Sequence, residues 1–560
     1  MSNHASLVNR QSDDSSISND DLSFSNSIND SEATIENNDL PIAWRKPDRS
    51  VKIPDRLGVA ASSSSLSSAL SSSSDLFSSS INDSIPIPKN FKDAMNSPHK
   101  NQWLAAINDE IKSFHEFNVL SSVPNNNQPT IDSKWVFAIK RDVNGKIEKF
   151  KARLVVRGFK QEDVDINDTF SPVVDKTTIR SLFVLAHRFN WHAIHFDVKT
   201  AFLHGKLDQD VFITVPDPLK TDGFIFKLNK SMYGLRQAPR VWFNTLVDHL
   251  NRIGLVQLDA NICVFSDGCS NIENSLIIAC YVDDILCFGP LSKIESFEKR
   301  IGDVIKIKNL GSVQKYLGIE IIKRNDGFYL SQSKYIESLS VQYQVNEAKY
   351  VKCPLLNSLL VDLNDKSTNF PIRNLIGSLL YIANWTRPDI CTAVNQLSQY
   401  LHKPTDRLWR HALNILKYLN STKLFSLCLG SKSDKIIGFA DANFATDSTD
   451  RKSVSGIAIF LFGSLVDWTS SKQKIVAEST SVAELIALHG CVKKLEILYC
   501  CLVSLNMKII IPIEIYDDSQ NVLQRINNGL SKAADVKLKY IIEQINVGLI
   551  KLKFIPTTEQ

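Results

Sequence analysis

Two adjacent carboxylates, Asp283 and Asp284, stand between two apolar runs in SLIIACYVDDILCFG. Burying two anions side by side is costly and raises their pKa values unless cations compensate them. The bland alternative is a polar hairpin turn, where Asp is a favoured residue. Tyr281-Val282-Asp283-Asp284 contains neither Gly nor Asn, however, and its Cys, Ile and Leu neighbours predict a buried hairpin. A third carboxylate, Asp197, lies in WHAIHFDVKTAFLHG, where Ala193, His195 and Asp197 alternate with Ile194, Phe196 and Val198. That alternation predicts a strand that runs out at Asp197 and turns into a helix. On its own Asp197 reads equally well as a helix cap. Brought together by two strands, the three carboxylates have the chemistry to hold two Mg2+ (or Mn2+) ions, one activating an attacking 3′-hydroxyl and one gripping a triphosphate.

A second acidic set follows in the last quarter of the chain. From Lys435 the periodicities read strand, strands, long helix, strand, helix, strand, the order expected of a ribonuclease H fold. IIGFADANFATD is an apolar strand delivering Asp441, and the helix STSVAELIALHGCVKKLEILYCCLVSL carries Glu484, with Ser479 or Thr480 as its cap. IEIYDDSQNV is a strand ending in Asp517-Asp518, and AADVKLKYIIEQI is a helix whose first turn holds Asp535. One carboxylate from each of four elements is what a two-metal phosphodiester nuclease needs, although each acid alone could cap a helix or face solvent.

The elements that must position these groups begin near Phe91. FKDAMNSPHKNQWLAAINDEIKSFHEF has apolar residues at three-and-four spacing and predicts a helical pair. KWVFAIKRDVNGKIEKFKARLVVRG predicts two strands joined by an Asn144-Gly145 turn, with Lys and Arg between the apolar residues. Such a hairpin is suited to holding a triphosphate or template, and Lys140, Lys151 and Arg153 are its candidate cations, Arg offering bidentate contacts and Lys a mobile charge.

Composition bounds the rest. The 560 residues, 43% apolar, are enough for about three to five domains. Residues 1–90 carry 7 Lys/Arg against 12 Asp/Glu, so the remainder has a net charge of +9, compatible with a phosphate backbone. Residues 1–40, rich in Ser, Asn and Asp, and the Ser run at 61–80 bury too little to offset their ordering entropy, so 1–90 is expected to be disordered. Between them Trp44 to Leu57 is a basic, proline-containing strip that reads as a tether or a solvated linker. The 10 cysteines form no CxxC pair and read as reduced core residues. No apolar run approaches the roughly 20 residues of a membrane helix, and no secretion signal precedes the fold.

Across residues 91–560 the sequence resembles the copia-type retrotransposon Pol polyproteins, in their reverse transcriptase and ribonuclease H region. The resemblance rests on WVFAIKRDVNGKIEKFKARLVVRGFKQ, FSPVV, DVKTAFLHG, KSMYGLRQAPRVWF, YVDDIL, YLGIEI and GSLLYIANWTRPDI, in that order. It implies an α/β (α+β) multidomain fold: right-hand polymerase fingers and palm at 91–290, thumb at 291–350, connection at 351–433 and a ribonuclease H-like domain at 434–560. It implies that Asp197, Asp283 and Asp284 are polymerase metal ligands and that Asp441, Glu484, Asp518 and Asp535 are nuclease ligands, with two ions per site. Phe202 takes the place of the aromatic gate against a ribose 2′-hydroxyl, a role compatible with a core aromatic. Ser231 to Phe243 matches the motif under the template and incoming base, with Gly234 and Pro239 shaping its backbone and Arg236, Gln237 and Arg240 near the substrate; surface charge is the alternative for the arginines.

The implied function is RNA-directed DNA synthesis with cleavage of RNA in RNA–DNA hybrids. The implied partners are an RNA template, a DNA primer, the hybrid and deoxynucleoside triphosphates, in the cytoplasm, within virus-like particles or with nuclear access, and without a membrane. Trp44 to Leu57 resembles the tail that joins integrase to reverse transcriptase in this family. Asn443, Leu485, Ala533 and Lys539 depart from the family pattern around the nuclease acids, where Asp, Tyr and two histidines are usual, so a weakened nuclease is expected. Relatives usually continue past PTTEQ with a helical tail, and the alternative reading is a truncated or decayed copy that binds nucleic acid without catalysis.

Overall fold

The computed structural model describes residues 85–141, 146–161, 165, 169–355, 369–447, 449–528, 535–556 and 558, without the side chains of 527, 528 and 535. The strip Trp44 to Leu57, the Asn144-Gly145 turn and Ala533 therefore lie outside the described residues, as does the side chain of Asp535, whose backbone opens the helix Asp535–Asn546. All described residues belong to one compact unit.

Helix Lys100–Glu116 places Trp103, Ile107 and Phe114 on one buried stripe. Trp103 packs edge-on against Phe137 (5.3 Å) and Phe150 (4.7 Å) of the basic hairpin, Ile131–Arg141 paired with Ile147–Val156. Period-2 alternation sends Trp135, Phe137 and Ile139 into that core, and leaves Val136, Ala138 and Lys140 on the opposite face beside Arg153 and Lys151. The hairpin belongs to a five-stranded sheet in which Ile147–Val156 is an edge strand.

The next sheet has six antiparallel strands, in spatial order Ile307–Ser312, His192–Val198, Asp284–Gly289, Ile277–Tyr281, Asn261–Ser266 and Val256–Leu258. The central strands are apolar on both faces, as a sheet covered on both sides requires. The strand expected to end at Asp197 runs to Val198, and it is followed by a turn and a short 3-10 helix, Ala201–His204, in place of the expected helix. With Thr200 at φ 52° in that connection, the backbone bends too sharply for an α-helix to start.

A smaller sheet joins distant parts of the chain. Strand Leu427–Leu429 returns to pair with Gly327–Ser331, closing off a helical lobe of Ser333–Gln342, Ile372–Trp385, Cys391–Ser398 and Asp406–Ser421 with its own apolar core.

The last sheet runs Ser464–Lys472, Val454–Leu461, Ile436–Asn443, Ile513–Asp517, Ile550–Phe554, the first three antiparallel and the last two added in parallel. The element order expected of a ribonuclease H-like unit is present, with one further helix, Gln520–Asn528. The long helix Thr480–Ser504 lies across this sheet, and the Ser479 side chain accepts the Val482 N–H as its cap. The helix comes so near that a Cβ on Gly438 would stand 2.8 Å from the Cys491 sulfur. No helix among the described residues is long and apolar enough to cross a membrane.

One apolar core runs through both halves. Phe183, Phe288, Phe328, Leu429, Ile436, Trp468, Cys491 and Ile541 belong to the same buried cluster. At its centre Arg180, on helix Lys176–Arg188, is 1% exposed. Its guanidinium donates to the carbonyls of Val466 (2.8 Å), Trp385 (3.2 Å) and Asn384, and lies 3.9 Å above the Trp468 ring. Burial pulls its pKa down to about 9, against the opposing fields of Asp467 and Asp175, so it stays charged at neutral pH.

Candidate active sites

In the six-stranded sheet Asp197 and Asp284 are direct cross-strand partners, so their side chains share one face, while Asp283 sits in the turn beside them. The turn is tight: Tyr281 pairs with Asp284, leaving only Val282 and Asp283 to reverse the chain. Val282 takes φ 56°, a left-handed conformation that costs a β-branched residue roughly 1–3 kcal/mol. The surroundings hold it there. Trp242 donates its indole N–H to the Val282 carbonyl (2.7 Å), and the Val198 N–H bonds the Asp283 carbonyl (2.9 Å).

Burial, then the charges of Asp284 and Asp197, push the Asp283 pKa up to about 6. Asp197 is raised by burial and by Asp284. One oxygen of Asp284 is bound to His195 Nε2 at 2.8 Å. His195 lies two residues before Asp197 on the same face, a period-2 relation visible in the sequence although the pairing itself was not foreseen.

Opposite these acids stands the basic hairpin. Lys151 feels the fields of Asp283 and Asp197, and burial and the neighbouring Arg153 pull its ammonium down to about 8. Arg153 stacks 4.4 Å above the Tyr233 ring, which in turn meets Phe202 edge-on at 5.1 Å. Phe202 is buried, a core aromatic. Lys140 pairs with Glu148 (3.4 Å) further along the hairpin.

The segment after Ser231 is clamped to the hairpin's base. The Val156 N–H bonds the Tyr233 carbonyl (2.8 Å), and Gly234 sits at φ 95° where a Cβ would strike the Val156 carbonyl at 2.0 Å, so only glycine fits. Arg236 gives its guanidinium to the Phe159 carbonyl (2.7 Å) and its N–H to Gln161, whose amide also bonds Gln237 (3.1 Å). Arg236 and Gln237 thus brace the loop.

In the second site Asp441, Glu484 and Asp518 can each offer an oxygen within 4.8 Å of the others, and among the described residues this is the one group of three acids so close. Glu484 is raised to about 8 by burial and then by Asp517, Asp441 and Asp518, and its buried Oε2 has no hydrogen-bond partner. Asp517, which sequence reasoning left aside in favour of its neighbour, is fully buried beneath the site, with its pKa raised to about 7 mainly by burial. Beside Asp441 opens a cavity of about 450 Å³ between sheet and helical lobe, lined by Asn443, Thr392, Gln396, Ser470 and Thr469, whose buried Oγ1 is unpartnered. Leu485 points into the core.

Both clusters suit a hard divalent cation. Their donors are carboxylate oxygens, burial and neighbouring acids raise Asp197 and Asp283 in the first and Asp441 and Glu484 in the second, and one buried Glu484 oxygen has no hydrogen-bond partner.

Residues 115–357 match the family described as reverse transcriptase (RNA-dependent DNA polymerase). The chain is 33% identical over 498 residues to the retrovirus-related Pol polyprotein from transposon TNT 1-94 of Nicotiana tabacum, covering 84% of this chain and 37% of that one. It is 30% identical over 487 residues to the corresponding polyprotein from transposon RE2 of Arabidopsis thaliana, covering 83% and 33%. The chain therefore spans about a third of the length of these polyproteins. It is also 30% identical over 305 residues to the transposon Ty5-1 protein of Saccharomyces cerevisiae, covering 52% of this chain and 97% of that protein. Among solved structures, a foamy viral protease-reverse transcriptase in complex with double-stranded DNA aligns over 81% of this chain and 69% of its own, with a TM-score of 0.44 and 14% identity. With motifs, matched residues and near-complete coverage of the yeast protein in agreement, the chain belongs to the copia-type retrotransposon Pol family, in the part that carries its reverse transcriptase.

Proposed function

We propose that this chain copies RNA into DNA at Asp197, Asp283 and Asp284, and cuts the RNA strand of RNA–DNA hybrids at Asp441, Glu484, Asp518 and Asp535. The observation that carries the first reading is the register: Asp197 opposite Asp284 with Asp283 in the turn, facing Lys151 and Arg153. Within it, residues 91–290 act as fingers and palm, 291–350 as thumb, 351–433 as connection and 434–560 as nuclease. RNA template, DNA primer and hybrid are its partners, and deoxynucleoside triphosphates its substrates. Asp197 and Asp283 would hold Mg2+ or Mn2+ with Asp284, and Glu484 with Asp441 and Asp518 would do so in the nuclease; the bound ions supply hydroxyl activation and neutralise phosphate charge.

The chain's own groups do the positioning. Arg153 offers a planar fork to phosphate oxygens, and Lys151 a second charge between those phosphates and the carboxylates. Stacking on Tyr233 holds the Arg153 fork in one plane, while Phe202, packed against the same ring, closes the space in which a 2′-hydroxyl would sit. His195 bonds Asp284 and so fixes that carboxylate's orientation.

Primer extension by the purified chain on an RNA template tests the polymerase. Phe202→Val is expected to raise ribonucleotide incorporation relative to deoxynucleotides by about 10- to 100-fold, because the obstruction is steric; unchanged sugar selectivity would refute the wall. For the nuclease, Asp441→Asn is expected to lower hybrid cleavage by about 100-fold or more while leaving primer extension intact. Cleavage indifferent to Asp441 would place that activity elsewhere.

A further inference from the structure

Glu110 is a carboxylate with no assigned task. It lies on helix Lys100–Glu116, upstream of the matched residues 115–357, and is 9% exposed. Its Oε1 is buried without a hydrogen-bond partner. Burial pushes its pKa up to about 7; opposing that are, in order, the charges of Arg153 and Lys151 and the backbone N–H of Leu154. All three opposing groups are on Ile147–Val156, the free edge of the fingers sheet. The preceding residue does the same job nearer solvent, since Asp109 bonds Lys149 at 2.9 Å. Trp103, packed edge-on against Phe137 and Phe150, docks the helix that carries both acids on the hairpin.

An acid buried at this cost stabilises little by itself, because its desolvation offsets much of its attraction to the cations. What it does supply, in the fraction ionised near neutral pH, is a negative charge beside Arg153 and Lys151 at the edge of the hairpin. Without it, Asp283 would draw Arg153, and Asp283 and Asp197 would draw Lys151, towards the carboxylates before a nucleotide arrives. With it, Arg153 stays over Tyr233, where its fork is free to receive phosphate.

We propose that Glu110 is a positioning residue for the incoming nucleoside triphosphate, docked on the edge of the basic hairpin and setting where Arg153 and, through Tyr233, Phe202 stand. This rests on the reading of Arg153 as a triphosphate contact. The test is a double-mutant cycle in steady-state primer extension by the full chain, with inorganic pyrophosphate as a second probe. Glu110→Gln preserves shape and removes the charge, so the fold survives. It is expected to raise the deoxynucleotide KM about tenfold, short of the hundredfold that an ångström of misplacement costs, with kcat changed less than about threefold. Pyrophosphate inhibition should weaken by the same factor, and Glu110→Asp should restore part of both. On an Arg153→Gln background, Glu110→Gln should add nothing further. If the two substitutions multiply, or if Glu110→Gln lowers kcat and leaves KM alone, the positioning role is overturned while Arg153 keeps its place. Should Arg153→Gln itself leave KM and pyrophosphate binding untouched, both readings fall together.

Discussion

Asp283→Asn is expected to abolish nucleotide incorporation while leaving the protein folded and able to bind a primer–template. The asparagine keeps the size and the turn, and the backbone bond from Val198 to its carbonyl is unaffected. It removes one anion from a crowd in which burial, Asp284 and Asp197 have already raised the carboxyl to about 6, so like-charge repulsion is relieved and the unfolding midpoint should stay level or rise. The catalytic loss comes from the missing hard oxygen donor. Groups that merely support a metal ligand cost 10- to 100-fold when removed, so loss of a ligand should exceed about 100-fold. Incorporation at the wild-type rate would sink the assignment of the polymerase site. A fall in activity matched by a fall in stability would show instead that Asp283 is structural.

Arg180→Met should produce the largest change in stability among single substitutions away from either site. A methionine fills much of the volume but donates nothing, leaving the carbonyls of Val466, Asn384 and Trp385 without the guanidinium at the meeting of three elements. Buried acceptors left unpaired cost about 1–3 kcal/mol each, and relief of the buried charge returns part of that, so a net loss on the order of 3 kcal/mol is expected. The cation–π contact with Trp468 goes as well, while Trp468 keeps its own bond to the Ala383 carbonyl (2.9 Å). Arg180→Lys should fall between, since a point charge cannot span three carbonyls. Urea unfolding followed by tryptophan fluorescence reads the effect directly; a midpoint unchanged in Arg180→Met would show that the bonds contribute nothing net.

Those two residues also mark how far the sequence could be read. Asp197, Asp283 and Asp284 were picked out because a period of two and an apolar setting are local signals, and the structure does bring them onto one turn and its neighbouring strand. The same holds for the strand and helix carrying Asp441 and Glu484. Arg180 gave no such signal: its partners lie 204 to 286 residues away, so nothing local marks it as buried. Glu110 was equally silent, because its helical pattern marks a buried stripe without saying what edge the stripe meets. The 3-10 turn after Asp197 was missed for a different reason, since apolar spacing in Ala201–His204 does not encode the left-handed residue before it.

The shared core bears on how such a chain can be taken apart or recombined. A cut between Leu429 and Ile436 falls at a natural-looking seam, yet Phe183, Phe328 and Leu429 on one side bury against Ile436, Leu461 and Trp468 on the other. Each piece expressed separately would present that face to water, and each would act as the other's folding partner. A C-terminal unit grafted here from a relative would have to match those side chains as well as the strand order. Shuffling at this joint is therefore constrained by packing, and the two halves should diversify as a matched pair.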